Sequence, residues 1–195
     1  HFRQYRLHTK LVLTMTGILF LGGAVLFFLL ERQGILAGEP AGKQILLSLF
    51  QSATTRTAGF NSADTAARSD GTKLFMVMLM FVGGNPGSTA GGIKTTTLAV
   101  LLIYLRSTMR RSKAAEAYGR RLEEDVVKRA AAILTLSLLL DLFGTLALTA
   151  VECLPLADVL FEVCSALGTV GITVGITGSL SLFSKVMLML LMYCG

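Results

Sequence analysis

The sequence predicts an all-α integral membrane fold in which a unit of span, short helix, turn and span occurs twice. Composition and two apolar runs predict it. Of the 195 residues, 53% are hydrophobic and only 15% are charged, against about 25% charged in an ordinary soluble domain. Leu11–Leu30 is an uncharged run of the roughly 20 residues that a helix needs to cross a bilayer core about 30 Å thick. Ala130–Val151 is a second, broken only by Asp141. A soluble helical core does not account for two such runs in one short chain.

The first run is longer than the roughly 7–15 apolar residues of a signal-peptide core, and the chain has no initiator Met, so it reads as a true span. The missing Met, and an apolar run from Val186 that reaches Gly195, lead us to expect truncation at both ends.

The formal net charge of +6 is unevenly distributed. Arg3, Arg6 and Lys10 precede the first span. Arg106, Arg110, Arg111, Lys113, Arg120, Arg121, Lys128 and Arg129 lie between the second and third spans. From there to Lys185 the charged residues are all acidic: Asp141, Glu152, Asp158 and Glu162. The positive-inside rule makes 1–10 and 106–129 cytoplasmic and the acidic stretch outward-facing. Topology therefore accounts for the basic excess, and with no aromatic stacking platform beside it, nucleic acid is not an expected partner. Cys153, Cys164 and Cys194 show neither disulfide nor zinc spacing and are expected to be inert apolar fillers, so no cofactor is implied.

A search for internal repetition finds the unit twice. The first copy runs Leu11–Leu30, Gln44–Thr55, Thr57-Ala58-Gly59-Phe60, then Leu74 onward; the second runs Ala130–Val151, Ala157–Ala166, Thr169-Val170-Gly171-Ile172, then Leu182 onward. The middle segments, at about 10–12 residues, are too short to span and read as re-entrant helices. Each leads into a Thr-x-Gly turn. Non-helical backbone at membrane depth persists only where protein or a water-filled cavity surrounds it, so both turns should line a cavity. Thr-x-Gly alone is a weak signal; its two copies, each after a Phe-led stretch (Phe50-Gln51-Ser52, Phe161-Glu162-Val163), are a strong one.

Leu74–Leu105 as one straight helix would measure about 48 Å, too long for a single crossing. Its middle is Gly83-Gly84-Asn85-Pro86-Gly87-Ser88-Thr89-Ala90-Gly91-Gly92, which cannot stay regularly helical. The helix should break there into an intramembrane loop. A phosphate-binding loop does not fit, because Ile93 separates the glycines from Lys94 and no strand precedes them. The enzymatic alternative is an intramembrane protease using Ser88 with Lys94 as base, since His1 and His8 lie before the first span. Asp141, within a span, reads either as a buried helix-to-helix bonding group or as part of an ion path. Arg56 is a candidate partner for Glu162.

For the two turns the physics favours a cation. Backbone carbonyls aimed into a pore replace an ion's hydration shell, and glycine permits the required backbone angles. A pore helix turns its negative end toward that ion, while Glu152, Asp158 and Glu162 would concentrate cations at the mouth.

These residues carry a resemblance to the Trk/Ktr/HKT superfamily of potassium transporters, most of all to the Ktr-type membrane subunit. The matching stretches are Leu7-His8-Thr9-Lys10-Leu11-Val12-Leu13, Thr55-Arg56-Thr57-Ala58-Gly59-Phe60-Asn61, Gly83 through Thr95, and Phe161-Glu162 with Gly168-Thr169-Val170-Gly171. The resemblance implies M1–pore helix–M2 repeats, two of four present, in a potassium-channel-like pore architecture. Residues 1–108 then form the third repeat, 109–129 a cytoplasmic linker and 130–195 the fourth repeat, truncated in its last helix. It implies that Thr57, Ala58, Gly59, Thr169, Val170 and Gly171 form the selectivity filter for K+, that 83–92 is the gate loop, and that sodium is a possible coupling ion. It also implies a homodimer in the cell membrane and a cytoplasmic nucleotide-binding regulatory subunit, with 106–129 as its docking surface. The family's pore-facing arginine in the last helix has no counterpart after Leu182.

Overall fold

The computed structural model describes residues 5–195 except 6, 33, 62–64, 66–67, 89, 112–115 and 118–119. Its α-helices are α1 (Leu7–Glu31), α2 (Ala41–Thr54), α3 (Asp70–Phe81), α4 (Thr95–Met109), α5 (Glu124–Val151), α6 (Leu156–Leu167) and α7 (Leu182–Cys194). The fold is all-α. A two-residue antiparallel ladder, Glu116–Ala117 against Arg120–Arg121, departs from that pattern inside the basic segment.

Local chemistry sets the boundaries. Both short helices follow a proline, Pro40 before α2 and Pro155 before α6, where the missing N–H and fixed φ cost nothing at a helix start. Ser69 caps α3 by accepting from the Thr72 amide at 3.2 Å, and Ser181 caps α7 by accepting from Ser184. The α5 helix opens on Glu124 and Asp125, whose charge suits the positive end of a helix; it therefore starts inside the basic segment, ahead of the apolar run.

The two long helices are poorly covered. Only 22% of the most apolar stretch of α1 or of α5 is buried. Leu13, Ile18, Leu21 and Val25 on α1, and Leu136, Leu139, Phe143 and Leu146 on α5, are exposed. A core helix of a soluble protein hides such side chains, whereas a bilayer is the solvent that accepts them.

Each long helix comes close to the short helix of its own unit through a glycine. A Cβ on Gly23 would lie 2.5 Å from Ser52 Oγ, and one on Gly144 would lie 2.8 Å from Leu191 Cδ1 and 3.0 Å from Val163 Cγ1. The two units share one core: Phe27, Met76, Val77 and Met80 of the first pack with Phe161, Cys164, Val170 and Ile172 of the second. Cys164 is thus the filler the sequence suggests, whereas Cys153 and Cys194 are exposed.

Polar bonds tie the same elements at the acidic end. Lys73 Nζ of α3 donates to Asp158 Oδ1 of α6 at 2.7 Å, and the two side chains are only 9% and 16% exposed. Glu152, which ends α5, accepts from the Ser184 hydroxyl and the Ser181 amide at the start of α7. Those bonds, the Ser184 hydroxyl foremost, hold its carboxyl below the usual carboxylate range.

Removing one member of a buried ion pair strands the other without compensation, at a cost of about 3–5 kcal/mol, whereas replacing both by apolar groups is often neutral. Lys73→Met alone should therefore lower the melting temperature of the detergent-solubilised protein more than Lys73→Met with Asp158→Leu does. An equal or larger loss in the double variant would show that the pair does not join α3 to α6 energetically.

Candidate functional site

The short helices α2 and α6 each end in a Thr-x-Gly turn, and the two turns have the same backbone signature. Thr57 and Gly59 have φ of 67° and 75°, and Thr169 and Gly171 have φ of 51° and 86°, while Ala58 and Val170 between them are not left-handed. An ordinary strand sends successive residues to opposite sides. Reversing the sign of φ at every second residue can bring consecutive carbonyls to one side. A threonine in this region costs about 1–3 kcal/mol and persists only where its surroundings impose it.

The surroundings do impose it. In the first copy the Thr54 carbonyl accepts from the amides of Ala58 and Gly59, both at 3.2 Å, and the Thr54 hydroxyl donates to Phe60 O at 2.6 Å. In the second, the Ser165 carbonyl accepts from the Val170 amide at 2.9 Å, and its hydroxyl donates to Ile172 O at 2.6 Å. Thr54 and Ser165 are functional candidates the sequence reading missed. One lies three residues before its turn threonine and the other four, so aligning the Thr-x-Gly motifs leaves them out of register.

The turns face each other at close range. A Cβ on Gly59 would run into the carbonyl oxygen of Val170, and one on Gly171 would sit 3.9 Å from Gly59 Cα. Glycine at 59 is thus required both by its φ and by the neighbouring turn. Val170, Ile172 and Val174 are buried, while Gly171 and Thr173 between them are exposed and half-buried, respectively. The second turn accordingly anchors alternate side chains in the shared core and leaves its other side open. The first turn has no such cover: Phe60 is 69% exposed, whereas Ile172 is 2% exposed.

Below the turns the glycine-rich segment breaks the helix as its composition predicts, with α3 ending at Phe81 and α4 starting at Thr95. Its ends are clasped by a parallel bridge between Val82 and Ile93, by Ile93 N donating to Phe81 O at 3.2 Å, and by Thr95 N donating to Gly84 O at 3.2 Å. Asn85-Pro86-Gly87-Ser88 is a tight turn closed by Ser88 N to Asn85 O at 3.2 Å, with Gly87 at φ 85°. Proline second and a left-handed glycine third are the residues a type II turn demands. Asn85 Oδ1 accepts from Thr16 Oγ1 at 3.0 Å and from Thr95 Oγ1 at 2.8 Å, fixing the segment to α1 and α4. Thr89 lies outside the described residues.

The segment also touches the second turn. The Gly91 amide donates to Thr169 Oγ1 at 2.7 Å, and a Cβ on Gly92 would lie 3.5 Å from Gly168 Cα. On the other side, a cavity of ≈ 340 Å³ is lined by Thr16, Phe20, Arg56, Thr57, Asn85 and Ser88, among others. The two turns thus lie against each other at Gly59 and Val170, and the segment reaches both, through Gly91 to Thr169 and across the cavity to Thr57.

Other expectations need correction. Arg56 and Glu162 do not pair: Arg56 reaches the carbonyl of Thr16 at 3.5 Å. Glu162 accepts from the Thr173 hydroxyl, from the Val174 amide at 3.1 Å and from the Thr177 hydroxyl at 3.1 Å. It braces the chain beyond the second turn, as Gln51 does beyond the first by accepting from Arg68 at 3.0 Å. Asp158 is neutralised by Lys73, so the acidic mouth is weaker than the sequence charge suggests. Asp141 is buried with one carboxylate oxygen unpartnered. Ser88 donates to Asn85 O and Lys94 to Ala90 O, so no Ser–Lys pair forms. Among the described residues no three His, Cys, Asp or Glu cluster as metal ligands.

A family model described as TrkH, cation transport protein, matches residues 7–195. The potassium/sodium uptake protein NtpJ of Enterococcus hirae is 37% identical over 198 residues, covering 99% of this chain and 44% of that protein. Ktr system potassium uptake protein D of Bacillus subtilis is 39% identical over 191 residues, covering 98% of this chain and 42% of that protein. The chain thus spans less than half the length of these relatives. The crystal structure of the potassium transporter TrkH from Vibrio parahaemolyticus superposes with a TM-score of 0.77 at 20% identity, over 92% of this chain and 40% of that one; the likeness shows a shared fold. With the family model matched from α1 to the last residue, this membrane chain belongs to the TrkH family of cation transport proteins.

Proposed function

We propose that the chain forms part of a potassium uptake pathway in which the Thr57–Gly59 and Thr169–Gly171 turns supply filter carbonyls and segment 83–92 is the gate. One observation carries this reading: two turns of the same left-handed pattern face each other directly, each at the end of a short helix. The helix ends contribute partial negative charge, and carbonyls on one side of each turn can substitute for ion hydration. The names of the similar proteins, potassium and potassium/sodium uptake, agree with the cation, and sodium remains the proposed coupling ion.

The packing supports further repeats in the complete protein. The second turn and α6 are covered by α3 of the preceding unit, through Met76, Val77 and Met80. The first turn shows the corresponding face uncovered at Phe60. A preceding unit would cover it in the same manner, closing a ring of four in which these are the third and fourth. In this reading 1–10 and 106–129 are cytoplasmic in the cell membrane, the exposed faces of α1 and α5 contact lipid, and the membrane subunit is a homodimer. A nucleotide-binding regulatory subunit docks on 106–129.

The gate reading rests on the Gly91–Thr169 bond and on the few side-chain anchors of the loop. A shift from about 1% to 99% open needs roughly 5.5 kcal/mol of differential binding, which a regulatory partner can supply only against a closed state without many strong contacts.

Two measurements on the full-length protein in liposomes test this function. Replacing Gly59 by Ser should lower potassium preference or apparent affinity, because Cβ meets the Val170 carbonyl, and Gly171→Ser should do so through its φ; unchanged potassium kinetics in both would remove the turns from the filter. Deleting Gly87–Ala90 should raise flux and abolish dependence on the regulatory partner while ion preference stays. If instead preference is lost and partner control persists, the loop belongs to the filter and not to the gate.

A further inference from the structure

We propose that Thr54 and Ser165 are positioning residues that set the cation preference of the pathway by holding the carbonyls of Phe60 and Ile172 out of it. This rests on the filter reading above and extends it to two side chains that lie outside the Thr-x-Gly motifs.

The grip is the same in both units. A residue in the last turn of the short helix holds the middle of the Thr-x-Gly turn with its backbone carbonyl and the residue after the turn with its hydroxyl. Thr54 takes the Ala58 and Gly59 amides and gives its proton to Phe60 O; Ser165 takes the Val170 amide and gives its proton to Ile172 O. Both side chains are buried, Thr54 at 1% and Ser165 at 4% exposure. A hydroxyl carries a single O–H, and at 2.6 Å that donor is fully committed.

The sequence spacing differs, because Gly168 adds a residue between Ser165 and its turn. The contact is nevertheless reproduced. It is therefore not a by-product of helix register, since a slipped register would have aimed one of the two hydroxyls elsewhere. Gly168 itself fits only as glycine, where a Cβ would lie 2.9 Å from Met80 O, and this lets the extra residue be absorbed without losing the grip.

The consequence concerns oxygen count and spacing. With Phe60 O and Ile172 O bonded inward, the row of available carbonyls stops at Gly59 and Gly171. A carbonyl released from a buried hydroxyl must find another donor or bear the cost of having none. The solution open to it is to turn toward the pathway, where it adds an oxygen for a cation. Discrimination between ions depends on the number and field of such oxygens and on how freely they move. An oxygen freed in this way can close in on the smaller sodium, which a rigid set spaced for potassium does not.

The test is rubidium-tracer uptake by the full-length protein in liposomes, competed separately by potassium and by sodium, for Thr54→Val and Ser165→Ala. Each should lower the potassium-over-sodium ratio by about fivefold, the scale of one net hydrogen bond, and Thr54→Ser and Ser165→Thr should restore it. A ratio unchanged in both variants, with only thermal stability reduced, would make the hydroxyls ordinary helix-end supports and overturn the proposal. Should Thr54→Val not reach the membrane, Ser165→Ala decides alone, since among the described residues the Ser165 side chain bonds to Ile172 O. Absence of cation uptake by the unaltered protein would instead overturn the transport reading on which this one depends.

Discussion

Backbone exposed to the hydrocarbon of a bilayer has no water to bond to, and the fold is organised around the few places where it leaves the helix. Two turns and one loop do so, and each finds its partners within the protein. The turns take theirs from the last residues of α2 and α6, and the loop takes its own from Asn85, Thr16, Thr95 and Thr169. Everything else serves to put these irregular segments next to one another. The long helices α1 and α5 supply span and lipid-facing surface, and Gly23 and Gly144 allow close approach to the units' own helices.

The same constraint links the two units. The shared core around Phe161, Met76, Met80 and Val170 sits behind the second turn, so the position of that turn depends on α3 of the other unit. The glycine-rich segment begins where α3 ends and returns to touch Thr169. A displacement of the loop therefore acts on the turn through one hydrogen bond and one shared helix. Among the described residues the first turn shows no equivalent bond: Thr57 Oγ1 donates to the carbonyl of Arg56 at 2.7 Å. The loop thus couples asymmetrically to the two turns.

Much of this was legible in the sequence, because apolar run length, repetition and glycine content are local signals. The spans, the short helices, both Thr-x-Gly turns and the helix break at 83–92 follow from them. What escaped depends on three-dimensional proximity. Glu162 looks like a charge awaiting Arg56, yet the Val174 amide and two hydroxyls satisfy it. Asp158 looks free, yet its partner Lys73 comes from the other unit. The Thr54 and Ser165 contacts are hidden by their unequal spacing. The small ladder at Glu116 and Arg120 carries no periodic signal at all, being two residues long on each side.

The central claim is that the two turns face one ion path and hold a cation with their carbonyls. Anomalous diffraction from crystals of the full-length protein grown with thallium in place of potassium tests it most directly. The account predicts a thallium peak between the turns, within coordination distance of carbonyls in Thr57–Gly59 and Thr169–Gly171. Thallium absent from that position and found instead against carboxylates such as Asp141 would contradict it.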